Sequence, residues 1–132
     1  MKVILDTNVL ISGLFFSGPP HEILEAWTAG QFDLVVSPEI LEEYRRVANE
    51  LAVKFASVEI TGLLDFITVN SLICAAEPLP EQICSDPDDD KFLACALASG
   101  AGYIVTGDRA LLKLDGFRGI TIMNPRRFVD AG

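Results

Sequence analysis

The sequence predicts an α/β fold in which a mainly parallel sheet is covered by helices on both faces. Short runs rich in β-branched residues alternate with helical stretches of about a dozen residues, and strands separated in this way pair in parallel through crossover connections. The chain has 132 residues, of which 50% are hydrophobic. This size and composition predict one compact domain over residues 1–132.

Four runs predict strands because each is hydrophobic, mostly β-branched, and bounded by turn-forming residues. They cover residues 2–5, 32–36, 103–105 and 120–123. Helices are expected after Pro19-Pro20, with a stop at Gly30, and after Ser37-Pro38, because proline suits a first helical turn. Three further helices are expected: one capped by Ser57 and running through Phe66, an apolar and buried one over residues 92–98, and a short one over residues 125–129.

Charge and cysteine content exclude several classes of protein. Ten basic and nineteen acidic residues give a net charge of -9, which argues against holding a polyanion by bulk electrostatics. The three cysteines at positions 74, 84 and 95 match neither a disulfide framework nor a zinc pattern. The longest apolar run, residues 92–98, is far shorter than the roughly 20 residues of a membrane span. We therefore expect a cytoplasmic protein with reduced thiols and no anchor or secretion signal.

Two carboxylates directly follow predicted strands. Asp6 ends the first strand run, and Asp108 comes after the strand that ends at Val105. The carboxyl ends of parallel strands share one edge of a sheet, so the two side chains should lie at the same rim. They form a candidate metal site. Helix capping is the alternative, and for either residue alone it is the more common role of Asp.

Two further acidic features point to the same chemistry. Residues 86–90 contain four acids; one or two would suit a helix N-terminus, whereas four repel one another and indicate a cation. In the helix that begins at Pro38, Glu43 lies roughly 95° from the centre of the apolar stripe and is the acid best placed to reach inward. A solvated flank remains the alternative for Glu43. The stripe comprises Ile40, Leu41, Tyr44, Val47, Ala48 and Leu51.

Together these blocks resemble the PIN-domain family. They read ILDTNVL at 4–10, SPEILEEYRRV at 37–47, DPDDDKFL at 86–93 and VTGD at 105–108. The similarity is greatest to the VapC-like ribonucleases, which form the toxin component of bacterial toxin–antitoxin pairs. It implies a three-layer α/β/α domain, an endonuclease that cuts RNA with Mg²⁺ or Mn²⁺, an antitoxin partner and a homodimer.

The resemblance also implies site residues. The metal ligands and catalytic acids are expected to be Asp6, Glu43, Asp89 and Asp108, with Asp86 and Asp90 as secondary candidates, and Asn8 and Thr106 as polar neighbours. Asp89 is preferred for the third acid because it brings Ala94 and Ala96 into the family's register. Many relatives carry a further acid where this chain has Ala110, so whether one or two ions bind stays open.

A set of oxygen ligands favours Mg²⁺ or Mn²⁺ over Zn²⁺ as the bound ion. The single histidine, His21, is expected to be a surface residue and not a general base. Basic side chains near the acids are candidates for binding RNA phosphates, with a solvated surface role as the alternative. They are Arg45, Arg46, Arg109 and Lys113, with Arg126 and Arg127. The chain also has a set of large apolar residues that could either fill the core or form a protein interface. They lie within residues 60–67 and at Phe15, Phe16 and Trp27.

Three other functions compete with the ribonuclease. A phosphohydrolase of the haloacid-dehalogenase type needs a second acid where this chain has Asn8. A receiver domain needs paired acids after the first strand and a late lysine beyond a strand, and neither is evident. A PIN-like domain that binds RNA or a partner without cleaving remains open.

Overall fold

The computed structural model describes residues 1–54 and 59–131. Within them, the structure has five strands and seven α-helices. In chain order these are β1 (Lys2–Leu5), α1 (Thr7–Phe15), α2 (Pro19–Thr28), β2 (Asp33–Val36), α3 (Pro38–Ala52), α4 (Ile60–Asn70), β3 (Leu72–Ile73), α5 (Asp90–Ser99), β4 (Tyr103–Val105), α6 (Arg109–Leu112), β5 (Thr121–Met123) and α7 (Pro125–Ala131). Single 3-10 turns lie at Pro87–Asp89 and Phe117–Gly119.

The strands form one sheet in the order β3-β2-β1-β4-β5, and every described pair is parallel. This confirms the predicted α/β fold with helices on both faces. The chain builds outward from β1 to β3 and then returns to β4 on the other side of β1. The strand order therefore reverses between β1 and β4, which is where ligands of parallel sheets collect. We call the rim formed by the carboxyl ends of the strands the carboxyl edge.

The four predicted strands are all present, with ends that agree to within one residue. The edge strand β3, of only two residues, is not among the predicted strands. Leu72 and Ile73 are both exposed, so their pattern carries no alternation of buried and solvent-facing positions. Their pairing with Val35 and Val36 of β2 is a tertiary contact that a local pattern does not encode.

Helix boundaries follow the expected capping chemistry. The Ser37 hydroxyl accepts a 3.3 Å hydrogen bond from the backbone N–H of Ile40, and Gly100 ends α5 in the left-handed region. The expected cap at Ser57 lies outside the described residues. The expectation that α5 is buried throughout is wrong for its last turn, because Phe92 to Ala96 are buried while Ala98 is exposed.

Packing of the helices positions the carboxyl edge. The helix α5 packs against β1, β2 and β4, which places its N-terminus beside the reversal point. The fully buried Tyr44 of α3 donates a hydrogen bond to the carbonyl of Leu5, and so fixes its neighbour Glu43 next to the end of β1. Among the helices of residues 1–54 and 59–131, none combines the length and the hydropathy needed to cross a bilayer.

Candidate active site

The centre of the carboxyl edge is a hydrogen-bonded pair between the ends of β1 and β4. Asp6 and Thr106 are only 6% and 0% exposed, and the Thr106 hydroxyl donates a 2.6 Å hydrogen bond to Asp6 Oδ2. The same hydroxyl accepts from the backbone N–H of Asp108 at 3.0 Å, so its hydrogen is directed at Asp6. Asp6 is the N-cap residue of α1 through its backbone carbonyl, which accepts from the N–H groups of Val9 and Leu10, but its side chain makes no capping bond. The strongest described partner of the carboxylate is thus Thr106, on the neighbouring strand.

Asp6 is a buried carboxylate among other acids. Burial raises its pKa and outweighs the hydrogen bonds from Thr106 and from the backbone N–H of Thr7, while the charges of Glu43 and Asp108 raise the pKa further. A buried anion with anionic neighbours is costly unless a cation or a proton compensates it. Asp108, by contrast, is exposed and does cap α6, because its Oδ2 accepts from the Leu111 N–H at 3.1 Å.

The acids of residues 86–90 occupy different environments. Asp90 is turned to the preceding loop, where it accepts backbone hydrogen bonds from Ile83 at 3.1 Å and from Cys84 at 2.7 Å. Asp86 accepts from the backbone N–H of Asp88 at 3.0 Å. Burial raises the pKa of Asp89 to about 6, and the charges of Asp6, Asp86, Asp108 and Glu43 contribute to the rise. Asp89 thus has the charges of Asp6, Glu43 and Asp108 in its environment, and its role as the third acid of the site stays a prediction.

Glu43 reaches inward, as its position at the edge of the apolar stripe predicts, and both of its oxygens have partners. Oε2 accepts from the Thr7 hydroxyl, and Oε1 lies 2.6 Å from the Lys91 ammonium. Neither Thr7 nor Lys91 was predicted to belong to the site. The position of Lys91, a base directly after a run of acids, could have indicated an ion pair with a site carboxylate. Nothing in the local sequence distinguishes Thr7.

The donor set fits a hard divalent cation in its chemistry. The charges of Glu43 and Asp108 raise the pKa of both Asp6 and Asp89, and carboxylate oxygens are the ligands that Mg²⁺ and Mn²⁺ prefer. In the part of the chain that the structure describes, no three His, Cys, Asp or Glu side chains converge as in a preformed metal site.

Of the remaining predicted site residues, Arg46 is the one with a described contact to an acid of this centre, 3.9 Å from Glu43. Asn8 is exposed on the first turn of α1. Arg45 donates to the Thr68 hydroxyl of α4 at 2.9 Å, whereas Arg46 lines a cavity of about 510 Å³ together with Glu43 and Asp88. Four more bases are exposed on or beside helices that follow β4 and β5, namely Arg109, Lys113, Arg126 and Arg127. His21 is exposed on α2 and contacts the Gly13 carbonyl at 3.0 Å.

Residues 2–110 match the family model described as PIN domain. The chain belongs to the PIN domain family. Its fold is similar to that of one chain in the crystal structure of VapBC2 from Rickettsia felis bound to a DNA fragment from their promoter, with a TM-score of 0.55 and 16% sequence identity. The similarity covers 94% of this chain and 98% of the other. No curated protein matches this PIN sequence.

Without divalent metal, the stability of this PIN domain should fall as the pH rises from about 4 to about 7. The pKa of Asp89 is raised from 3.8 to about 6, so in this window the folded state holds a proton that the unfolded chain has lost. The lowered pKa values of Asp88 and Asp90 act at more acidic pH, where their contribution is lost as the pH falls. Thermal melts in EDTA across this range check the slope, and Asp89→Asn should reduce it to the part that the raised pKa of Asp6 contributes. A wild-type melting temperature that rises across the window contradicts the prediction.

Proposed function

We propose that this PIN-domain protein is a metal-dependent ribonuclease that hydrolyses RNA phosphodiesters with Mg²⁺ or Mn²⁺. The observation that carries the proposal is the buried Asp6, held by Thr106 at the reversal point of the sheet and facing Glu43 and Asp108. A buried acid among acids is the environment that a divalent cation stabilises. The membership of the PIN family and the fold shared with a chain of a VapBC2 complex support the toxin of a toxin–antitoxin pair.

Each part of the chain has a defined task in this reaction. Thr106 orients the Asp6 carboxylate toward the edge, and the backbone N–H of Asp108 holds the Thr106 hydroxyl in the donating orientation. Asp6, Asp89, Asp108 and Glu43 would hold the ion. When bound, Mg²⁺ or Mn²⁺ supplies Lewis-acid activation of water and of the scissile phosphate. The net charge of -9 is then compatible with a polyanionic substrate, because the cation and local bases meet the phosphate.

The test compares substrates and metals in one assay. Purified protein should cleave single-stranded RNA with Mn²⁺ or Mg²⁺, and EDTA should abolish the cleavage because the ion supplies the activation of water. Single-stranded DNA of the same sequence is the matched substrate control. Binding of RNA without any cleavage, under both metals, would instead indicate the silent RNA-binding module. Formation of an aspartyl phosphate from a small phosphodonor would indicate a receiver-type domain.

The toxin assignment adds protein partners to the proposal: an antitoxin and a second copy of this chain, all in the cytoplasm. Large apolar side chains remain exposed on α4 and β3, among them Phe66 at 47%, Val69 at 79% and Ile73 at 52%. Their neighbours Ile60, Leu64 and Ile67 are buried, so the apolar stretch is divided between core and surface. Exposed apolar patches of this kind mark protein interfaces. Light scattering of the protein alone, and co-purification with the product of the adjacent reading frame, test both partners.

A further inference from the structure

Lys91 places a positive charge inside the acidic carboxyl edge. Its ammonium lies 2.6 Å from Glu43 Oε1 and 3.2 Å from Asp88 Oδ1. The side chains of Lys91 and Glu43 are only 16% and 12% exposed. Removing one partner of an ion pair shielded in this way leaves an uncompensated charge, which destabilises the protein more than the loss of a surface pair does. Lys91 is therefore part of the site and not a solvated neighbour of it.

The pair determines what Glu43 can do in the metal-free protein. One oxygen of Glu43 accepts from the Thr7 hydroxyl and the other faces Lys91. Glu43 also contributes to the electrostatic environment of Asp6 and Asp89. A divalent ion shared by these carboxylates would need an oxygen that Lys91 now faces, and a cation and an ammonium so close together repel each other. An ion bound through this oxygen would therefore compete with Lys91 for Glu43.

The structure also provides space for Lys91 to move. A cavity of about 510 Å³ borders the pair and is lined by Lys91, Glu43 and Asp88, with Glu39, Glu42 and Arg46 on the side of α3. An ammonium that leaves Glu43 can enter this cavity and keep acidic neighbours. The release of Lys91 therefore requires rotation of a side chain but no unfolding of α5.

We propose that Lys91 is a positioning residue that acts as an internal counter-cation: it holds Glu43 in the metal-free protein and must be displaced when a divalent ion binds. The inference rests on the proposed metal-dependent function of the same edge. It predicts that Lys91 lowers the affinity for metal while it stabilises the protein without metal. A lysine with a merely structural role would stabilise the metal-free protein but leave the metal affinity unchanged.

The test measures Mn²⁺ binding by calorimetry, without RNA, on wild type and Lys91→Met. We expect Lys91→Met to bind Mn²⁺ about tenfold more tightly or better, because a charge within a few ångströms of the ion is removed. Its melting temperature in EDTA should fall, and Mn²⁺ should raise it by more than in wild type. Lys91→Arg should restore an affinity close to that of wild type, since it restores the competing charge.

Arg46→Met is the matched control for this measurement. Arg46 also carries a positive charge near Glu43, at 3.9 Å, but its side chain is 57% exposed. Removing it tests the general effect of one lost positive charge, which solvent screens at an exposed position. We expect it to change the Mn²⁺ affinity by about twofold or less.

Two results separate this inference from the proposed function. If wild type binds Mn²⁺ and Lys91→Met binds it equally or more weakly, the counter-cation role is wrong while the ribonuclease proposal stands. If neither protein binds Mn²⁺, both are wrong. Should Lys91→Met fail to fold, Lys91→Gln replaces it. In a Glu43→Gln background, Lys91→Met should have little further effect, because the group for which lysine and metal compete is gone.

Discussion

Asp6→Asn should abolish RNA cleavage and at the same time raise the melting temperature of the metal-free protein. The asparagine has the shape of aspartate and still accepts the hydrogen bond from Thr106, so the edge keeps its geometry. It removes a buried charge whose pKa is raised by burial and by Glu43 and Asp108. We expect a loss of cleavage rate of roughly a thousandfold or more and a gain on the order of a few degrees in EDTA.

Asp33→Asn is the control for this pair of effects. Asp33 is exposed and begins β2, at the opposite end of the strand from the carboxyl edge. It removes one negative charge without touching the site, so it should alter neither the rate nor the melting temperature by much. Initial rates on single-stranded RNA and melts with and without Mn²⁺ provide both measurements. An Asp6→Asn protein that cleaves as wild type does, or that is less stable in EDTA, contradicts the metal site.

Asp89→Ala and Asp90→Ala should have opposite effects, although the two residues are adjacent. Asp90 accepts backbone hydrogen bonds from Ile83 and Cys84, and Cys84 is buried. Its removal leaves these N–H groups without their acceptor and should cost about 2 kcal/mol of unfolding free energy. Asp89 instead faces the acids of the edge. Its removal should lower cleavage by roughly a hundredfold or more without destabilising the metal-free protein.

Urea unfolding and initial rates of the two variants measure these effects side by side. The folded fraction of Asp90→Ala should retain most of the wild-type cleavage, because its carboxylate holds a loop and does not face Asp6. The assignment of Asp89 as the third acid is wrong if Asp90→Ala is the variant that loses activity while keeping its stability. Asp86→Ala can be compared with these two variants, since the Asp86 carboxylate accepts a hydrogen bond from the backbone N–H of Asp88 in the short turn before Asp89.

Much of the fold could be predicted because its elements are encoded locally. The strands of the sheet interior are β-branched runs with turn residues on both sides, and Ser37 with Pro38 marks the start of α3 directly. The strand β3 could not be predicted in this way, because its two exposed residues are defined only by their pairing with β2. Local propensity dictates a strand poorly when packing and pairing supply its stability.

In the candidate site, too, some features are encoded locally and others depend on tertiary contacts. That Asp6 and Asp108 meet at one edge follows from their positions directly after parallel strands, which a one-dimensional pattern contains. Their different environments do not follow from it: Asp108 caps a helix, whereas Asp6 is buried against Thr106, a residue 100 positions away.

The sequence by itself determined the fold class and the family, and it predicts the set of acids, because periodicity, capping and strand ends are properties of neighbouring residues. Only the tertiary structure shows that the charges of Asp6, Glu43 and Asp108 raise the pKa of Asp89, and that Glu43 is paired with Lys91. Burial and charge pairing depend on distances between residues far apart in the chain, and these distances exist only after the helices have packed on the sheet.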